Sequence, residues 1–455
     1  MDLPNYFLAD LPPEAELSPG MIREACQTLK RNRARYFVDR STRGLVELLC
    51  GVARDWLDPE FPLRKEALAK GPIKLGLSGR TLTLGLEAFF QQWTEAGFKA
   101  LIEQDLGEMQ KLHGFSAAEP EQKAHRASLA KGPLLAAHIT AGNLPCPALT
   151  SIALGILTRS AQFVKCATGT SLLPRLFAHS LYQADSKLGA CLEIAEWKGG
   201  HAALEKVLYA EADCVTATGS DEVLAAVHRE LPTHVRFVGY GHRVSFGYIA
   251  AEAFAGGSTR RLVDAAAIDV TAWNQLGCLS PHVIYVQEGG MVGAEKFAEL
   301  LAEELARREE TNPRGEVPVE TAGAIASRRA IYEVRAAHSP ETRHWCSQGS
   351  TAWTVVYEAD PQFQLSCLNR FIYVKSVRDL TDMLQGAEAI RGKTSTVGIA
   401  TAEGAAERTA SELARWGASR VCPLGQMQNP PLAWRHDGRP ALGDLVTWTD
   451  WERFK

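Results

Sequence analysis

Cys278 stands in Trp273-Asn274-Gln275-Leu276-Gly277-Cys278-Leu279-Ser280-Pro281, a short glycine-bearing turn just ahead of the apolar run His282-Val-Ile-Tyr-Val-Gln287. Most cysteines fill cores as small apolar side chains. A thiol on a turn between two apolar segments is instead held at an edge, where a substrate can reach it. A thioester-forming cysteine needs its thiolate, and donors aimed at the oxygen that becomes charged. Asn143, in Ile139-Thr-Ala-Gly-Asn-Leu-Pro145, is a candidate donor, because it follows a strand and a turn at Gly142. Its plain structural reading is a helix cap or turn residue. Thr218-Gly219-Ser220 lies between a strand and a helix, where backbone N–H groups and the helix dipole favour a phosphate. The same three residues also make an ordinary N-cap. No Gly-x-Gly-x-x-Gly follows any expected strand, so a dinucleotide would be held differently.

The elements that must position these residues alternate. Gly132–Ile139, Ala161–Lys165, Leu192–Glu196 and Asp213–Ala217 read as strands. Helices are expected over Pro147–Arg159, Ser171–Ala184, Ala202–Leu208 and Asp221–Glu230. Such alternation implies a parallel sheet covered on both faces, with ligands beyond the carboxyl ends of its strands. A second alternating block follows Cys278, with strands at Phe371–Val374, Thr396–Ile399 and Arg420–Cys422. Its helices are expected at Ala294–Arg308, Glu320–Ala336, Asp379–Leu384 and Ala405–Trp416. Residues 1 to about 130 read as mainly helical. There, Leu84, Leu86, Phe89, Phe90, Trp93, Phe98, Leu101 and Ile102 form a stripe that reads as a core face before it reads as an acyl pocket.

At 455 residues the chain is too long for one core. The division expected is a nucleotide-binding domain over 1–240, helical over 1–130 and α/β over 131–240, completed by residues 425–455. A cysteine-bearing catalytic domain covers 241–424, with a cleft near 240–280. The net charge of -4 and the lack of a basic run leave nucleic acid without electrostatic support. The start of the chain lacks a cationic, then apolar, leader, and no stretch is long and apolar enough to span a bilayer. Ten cysteines without a Cys-x-x-Cys pair argue for reduced thiols, a cytoplasmic location and no structural metal.

Taken in order, these segments resemble the aldehyde dehydrogenase superfamily, and within it the acyl-CoA reductases that supply long-chain aldehyde to bacterial luciferase. The resemblance covers residues 130–290 well and the C-terminal third more loosely. It implies an aldehyde dehydrogenase-like α/β fold with two parallel-sheet domains and a helical N-terminal region. It also implies a catalytic pair, Cys278 as nucleophile and Asn143 as oxyanion donor. Cofactor contacts are implied at Thr140, Ala141, Lys165, Thr168, Gly219, Ser220, Val223 and Gly239. The expected reaction reduces a fatty acyl-CoA, or an acyl-carrier thioester, to the aldehyde through a cysteinyl thioester. No metal takes part, and relatives self-associate, so a homo-oligomer is expected, with an acyltransferase or synthetase as a further partner.

Two departures sharpen that expectation. Hydrolytic aldehyde dehydrogenases carry a general-base Glu where this chain has Gly239, so water would be poorly activated against the thioester. No glutamate for the nicotinamide ribose matches within Gln364–Arg370. NADPH is the expected cofactor, because Thr168 stands where NAD-preferring relatives often carry a carboxylate that would repel a 2'-phosphate. The alternatives are an aldehyde-oxidising dehydrogenase, and an acyl-transferring carrier that uses the same cysteine without reduction. His242 and His282 read as hydrogen-bonded or solvated side chains, and Trp434–Gly438 receives no role.

Overall fold

In a computed structural model, residues 3–12, 14–142 and 144–453 are described. The chain divides into two units: residues 1–75, 86–241 and 431–455 form the first, and residues 76–85 and 242–430 the second. Residues 76–85 and 425–430 thus group with the second unit, whereas the sequence reading put them with the first.

The first unit opens with the helices Pro19–Tyr36, Thr42–Leu57 and Pro62–Leu75. Ser18 and Ser41 start the first two, their hydroxyls accepting the N–H of Met21 and Gly44. The aromatic stripe is broken into two helices, with Thr94 capping the second, Glu95–Leu106. Phe90 and Trp93 pack on Trp56 and Phe177, so this stripe is core, whereas Leu84 stays exposed.

Strand β1 (Arg126–Lys131) pairs antiparallel with Thr447–Glu452. These two strands form a two-stranded arm of their own. The arm is built from segments more than 300 residues apart, which local spacing cannot reveal, and it leaves Trp448 and Trp451 exposed. Next come β2 (Leu135–Ile139), β3 (Ala161–Cys166), β4 (Leu192–Glu196), β5 (Cys214–Thr218) and β6 (Arg236–Tyr240). They form a parallel sheet in the order β4-β3-β2-β5-β6. Leu135, Ala137, Phe163 and Val215 bury one face of it with Ile22 and Leu29 of the first helix and Leu204 and Leu208 of helix Ala202–Glu211.

The second unit holds β7 (Val244–Ile249), β8 (Pro281–Gln287), β9 (Thr342–Cys346), β10 (Thr354–Glu358), β11 (Phe371–Val377), β12 (Thr394–Ala400) and β13 (Arg420–Pro423). Their order is β13-β12-β7-β8-β11-β10-β9, parallel except for the β9 edge, with β8 in the middle. Alternate residues feed two cores. Ile249, Ile284, Val286, Ile372 and Val374 pack beside helices Thr259–Thr271 and Ala294–Thr311. Phe246, Tyr248, Val283, Tyr285 and Tyr373 pack beside Val319–His338 and Glu403–Trp416. A strand buried on both faces is the reason β8 reads as an unbroken apolar run.

Candidate active site

The winding of the first unit's sheet reverses between β2 and β5. Connections leaving such a switch point part from one another, and ligands bind in the crevice beyond the carboxyl ends. Thr140 and Ala141 follow β2, Thr168 follows β3, and Gly219 and Ser220 follow β5. Lys165 and Gly239 are the penultimate residues of β3 and β6, and Val223 lies in the first turn of helix Asp221–Glu230. All eight residues expected around a cofactor therefore gather at one end of one sheet.

Their chemistry suits a nucleotide. The Lys165 side chain is buried, which pulls its pKa down, with Glu205 opposing the shift, and its Nζ lies 5.8 Å from the Trp197 ring centroid. Thr168 is exposed. Ser220 Oγ accepts the Val223 N–H at 3.4 Å, so the residue is an N-cap whose own hydroxyl hydrogen can still serve a ligand. Val223 is an exposed apolar side chain in the first turn of that helix. Asp221 and Glu222 in the same turn already offset part of the dipole that a phosphate would use. The Gly239 carbonyl accepts Arg439 Nη1 at 3.0 Å, and the His436 ring stacks on Tyr240 at 4.4 Å. The segment Trp434–Gly438 therefore packs against the end of β6.

In the second unit, Cys278 lies three residues before β8, at the amino end of the central strand and half-buried. The thiol therefore lies at the amino end of its strand, unlike the eight residues at the carboxyl ends of the first sheet. The approach to it is unusual. Trp273, Asn274 and Gln275 have φ of 51°, 51° and 66°, a run of left-handed residues that bulky side chains rarely adopt. Leu368, Asn369 and Arg370, which lead into β11, form a second such run at 57°, 54° and 65°. β8 and β11 are neighbours, and the two runs are joined where the Asn369 N–H donates to the Asn274 carbonyl at 3.0 Å. Gln275 Nε2 donates to the carbonyls of Pro281, at 2.7 Å, and Phe371, at 3.0 Å, bracing the turn from its far side. Ser245 Oγ donates to the Cys278 carbonyl at 2.6 Å, and Gln428 bonds Ser280.

A family model described as acyl-CoA reductase (LuxC) matches residues 38–448. The chain belongs to the acyl-CoA reductase (LuxC) family. The long-chain acyl-protein thioester reductase of Aliivibrio fischeri is 23% identical over 422 residues, covering 90% of this chain and 82% of the relative. Long-chain acyl-protein thioester reductase 2 of Photobacterium leiognathi is 24% identical over 362 residues, covering 78% and 70%. Among solved structures, a betaine aldehyde dehydrogenase from Staphylococcus aureus superposes with a TM-score of 0.69 at 14% identity, covering 98% of this chain and 90% of that one. The fold is that of the aldehyde dehydrogenases.

In this acyl-CoA reductase family member, four of the other thiols are set apart by deep burial, while Cys346 and Cys367 are half-buried as Cys278 is. Burial pushes Cys26, Cys166, Cys191 and Cys214 up to about 12, which keeps them protonated and unreactive. His282 is buried, and its Nδ1 accepts the Ser366 N–H at 3.1 Å, so the neutral ring carries its proton on Nε2. Burial, helped by the charge of His242, holds its pKa down at about 4. Asn143 lies outside the described residues. Among the described residues no cluster of His, Cys, Asp or Glu could hold a metal ion, and no helix is long and apolar enough to cross a membrane.

Sequence reasoning missed three residues. Glu196, at the end of β4, accepts the N–H of Gly169 at 2.7 Å and of Ser171 at 3.1 Å, bringing a carboxylate to the turn that holds Thr168. Arg370 and Ser245 are buried beside the cysteine turn. Only Asn274 and Asn369 left a local signal, since Asn is enriched several-fold at positive φ.

Proposed function

We propose that this protein is an acyl-thioester reductase that releases an aldehyde through a cysteinyl thioester on Cys278. One observation carries the reading: among ten cysteines, Cys278 is a half-buried thiol on a braced turn at the amino end of the central strand. The sulfur attacks the acyl carbonyl, forming the C–S bond as the donor's thiol leaves. Once the acyl carbon has been reduced to a thiohemiacetal, that C–S bond breaks, and aldehyde and free thiol part. When bound, a nicotinamide cofactor supplies the hydride, and Lys165, Thr168, Gly219, Ser220 and Val223 are the side chains and backbone that would hold it. The backbone N–H of Cys278 and the amide of Asn143 are the proposed oxyanion donors; losing one such donor typically slows turnover by about a hundredfold or more.

The acyl group is proposed to be a long chain, in keeping with the names of the curated relatives. The donor is proposed to be acyl-CoA, with an acylated protein thiol as the second donor that those names support. Gly239 in place of a general-base glutamate supports reduction over hydrolysis. NADPH is the proposed reductant, because Lys165 can meet a 2'-phosphate and Thr168 does not repel it. The Glu196 carboxylate works in the opposite direction.

Intact-mass analysis with a panel of acyl-CoAs, followed by NADPH, tests all of this at once. The expected result is one acyl adduct, lost on NADPH addition with aldehyde appearing, and absent from Cys278→Ala. An adduct that survives in Cys278→Ala overturns the proposal.

A further inference from the structure

We infer that Arg370, acting through Asn274, is a positioning residue that fixes where the Cys278 sulfur stands. The inference rests on the reading of Cys278 as the acylated residue. A left-handed conformation costs an L-residue about 1–2 kcal/mol. Trp273, Asn274 and Gln275 are nonetheless all held there and all buried. Such a run persists only where its surroundings over-determine it, and functional sites are where this is found.

The over-determination is visible at Asn274. Its Oδ1 accepts Arg370 Nε at 3.0 Å, its Nδ2 donates to the Arg314 carbonyl at 2.8 Å, and its own carbonyl takes the Asn369 N–H. Arg370 is 1% exposed and anchored elsewhere: Nη1 reaches the Glu309 carboxylate at 2.9 Å and the Asn312 carbonyl at 2.8 Å. It is itself the last residue of the second left-handed run. One guanidinium therefore locks the turn before β8 to the turn before β11, with residues 309–314, the end of helix Ala294–Thr311 and the loop after it, as abutment. Neither run is favourable alone, so they hold or fail together. The three residues between Asn274 and Cys278 leave little slack between clamp and sulfur. A misplacement of about 1 Å at a reacting atom can lower a rate by about a hundredfold.

Removing Arg370 would strip Glu309 of its cation, so Asn274 is the better place to test. Asn274→Gly keeps the left-handed backbone at no steric cost while deleting both side-chain contacts. Asn274→Asp keeps an oxygen for Arg370. The measurement is rapid-quench formation of the acyl-enzyme from an acyl-CoA without cofactor, read by intact mass, alongside thermal melting. Asn274→Gly should lower the maximal acylation rate by about tenfold or more, with half-saturation within about twofold, and Asn274→Asp should recover most of that rate. Asn274→Gly acylating at the parental rate overturns the inference. So does a rise in half-saturation alone, or a folded Asn274→Asp as slow as Asn274→Gly. Acylation of Cys278→Ala, by contrast, would sink the assignment of the nucleophile and the inference with it, a failure told apart from that of the clamp because it shows in a different variant.

Discussion

The Ser245 hydroxyl donates to the main-chain carbonyl of Cys278 at 2.6 Å and accepts the N–H of Thr396 at 3.0 Å. The pairing of β7 with β12 slips between Thr394 and Val397, and the hydroxyl takes up an N–H that the slip removes from the ladder. Ser245 is fully buried, so Ser245→Ala leaves both partners unpaired away from water. Such a change costs about 1–3 kcal/mol. The expected outcome is an unfolding free energy lowered by about 1–3 kcal/mol, seen as a lower denaturation midpoint, with severalfold slower acylation. An unchanged midpoint would show that Ser245 merely fills space.

Gly85 gives a prediction whose sign is decisive. It lies in helix Gly79–Gln91, and a Cβ added there would overlap the indole of Trp273, the first residue of the left-handed run. In an unobstructed helix interior, Gly→Ala stabilises by about 1 kcal/mol. Overpacking of a buried ring costs about 1–3 kcal/mol. Gly85→Ala should therefore melt lower than the parent and acylate more slowly. A higher melting temperature would mean that the indole moves aside freely.

What could be read from the sequence was whatever depends on local spacing. Strand β4 and helix Asp221–Glu230 fall where expected, because apolar runs and a Ser cap mark them. Strands β9 and β10 escaped: Thr342–Cys346 is a half-exposed edge without an apolar run, and Thr354–Glu358 offers only Val355, Val356 and Tyr357 between polar ends. Helix Thr259–Thr271 was hidden by a mixed pattern in which Asp269 is buried. Its carboxylate accepts the N–H groups of Gly425 and Met427, a contact across more than 150 residues. The clamp on Cys278 is invisible for the same reason, since Arg370 and Asn274 are 96 residues apart.

On the proposed reading, cofactor choice turns on charge at one turn. Thr168 is exposed at the end of β3, and Glu196 already caps that turn through the N–H groups of Gly169 and Ser171. Two unit charges about 4 Å apart interact by about 1 kcal/mol in water and about 4 kcal/mol near a protein surface. Thr168→Glu should weaken NADPH binding by about tenfold or more while leaving NADH nearly unchanged. Glu196→Gln should strengthen NADPH binding. Calorimetric titration of each cofactor, without acyl substrate, checks both. Equal losses for the two cofactors would show that the turn, and not its charge, had been damaged.

Glu193 on β4 makes stability fall as pH rises. Its carboxyl accepts the N–H of Leu8 at 2.7 Å and of Ile194 at 3.0 Å, and burial pushes its pKa from 4.5 up to about 8, against those two hydrogen bonds. A folded pKa above the unfolded one means that the folded state keeps a proton which the unfolded chain has already lost. The associated stability is complete below about pH 4.5 and is lost as pH rises through about 8. Glu193→Gln imitates the protonated acid and keeps the accepting oxygen. At about pH 4 and below the variant and the parent should unfold alike. By pH 8 the variant should be more stable by a few kcal/mol, since each pKa unit is worth about 1.4 kcal/mol. Denaturant titrations of both proteins across that range are the check, and parallel curves at every pH would show that Glu193 is ionised in the folded protein at the same pH as in the unfolded chain.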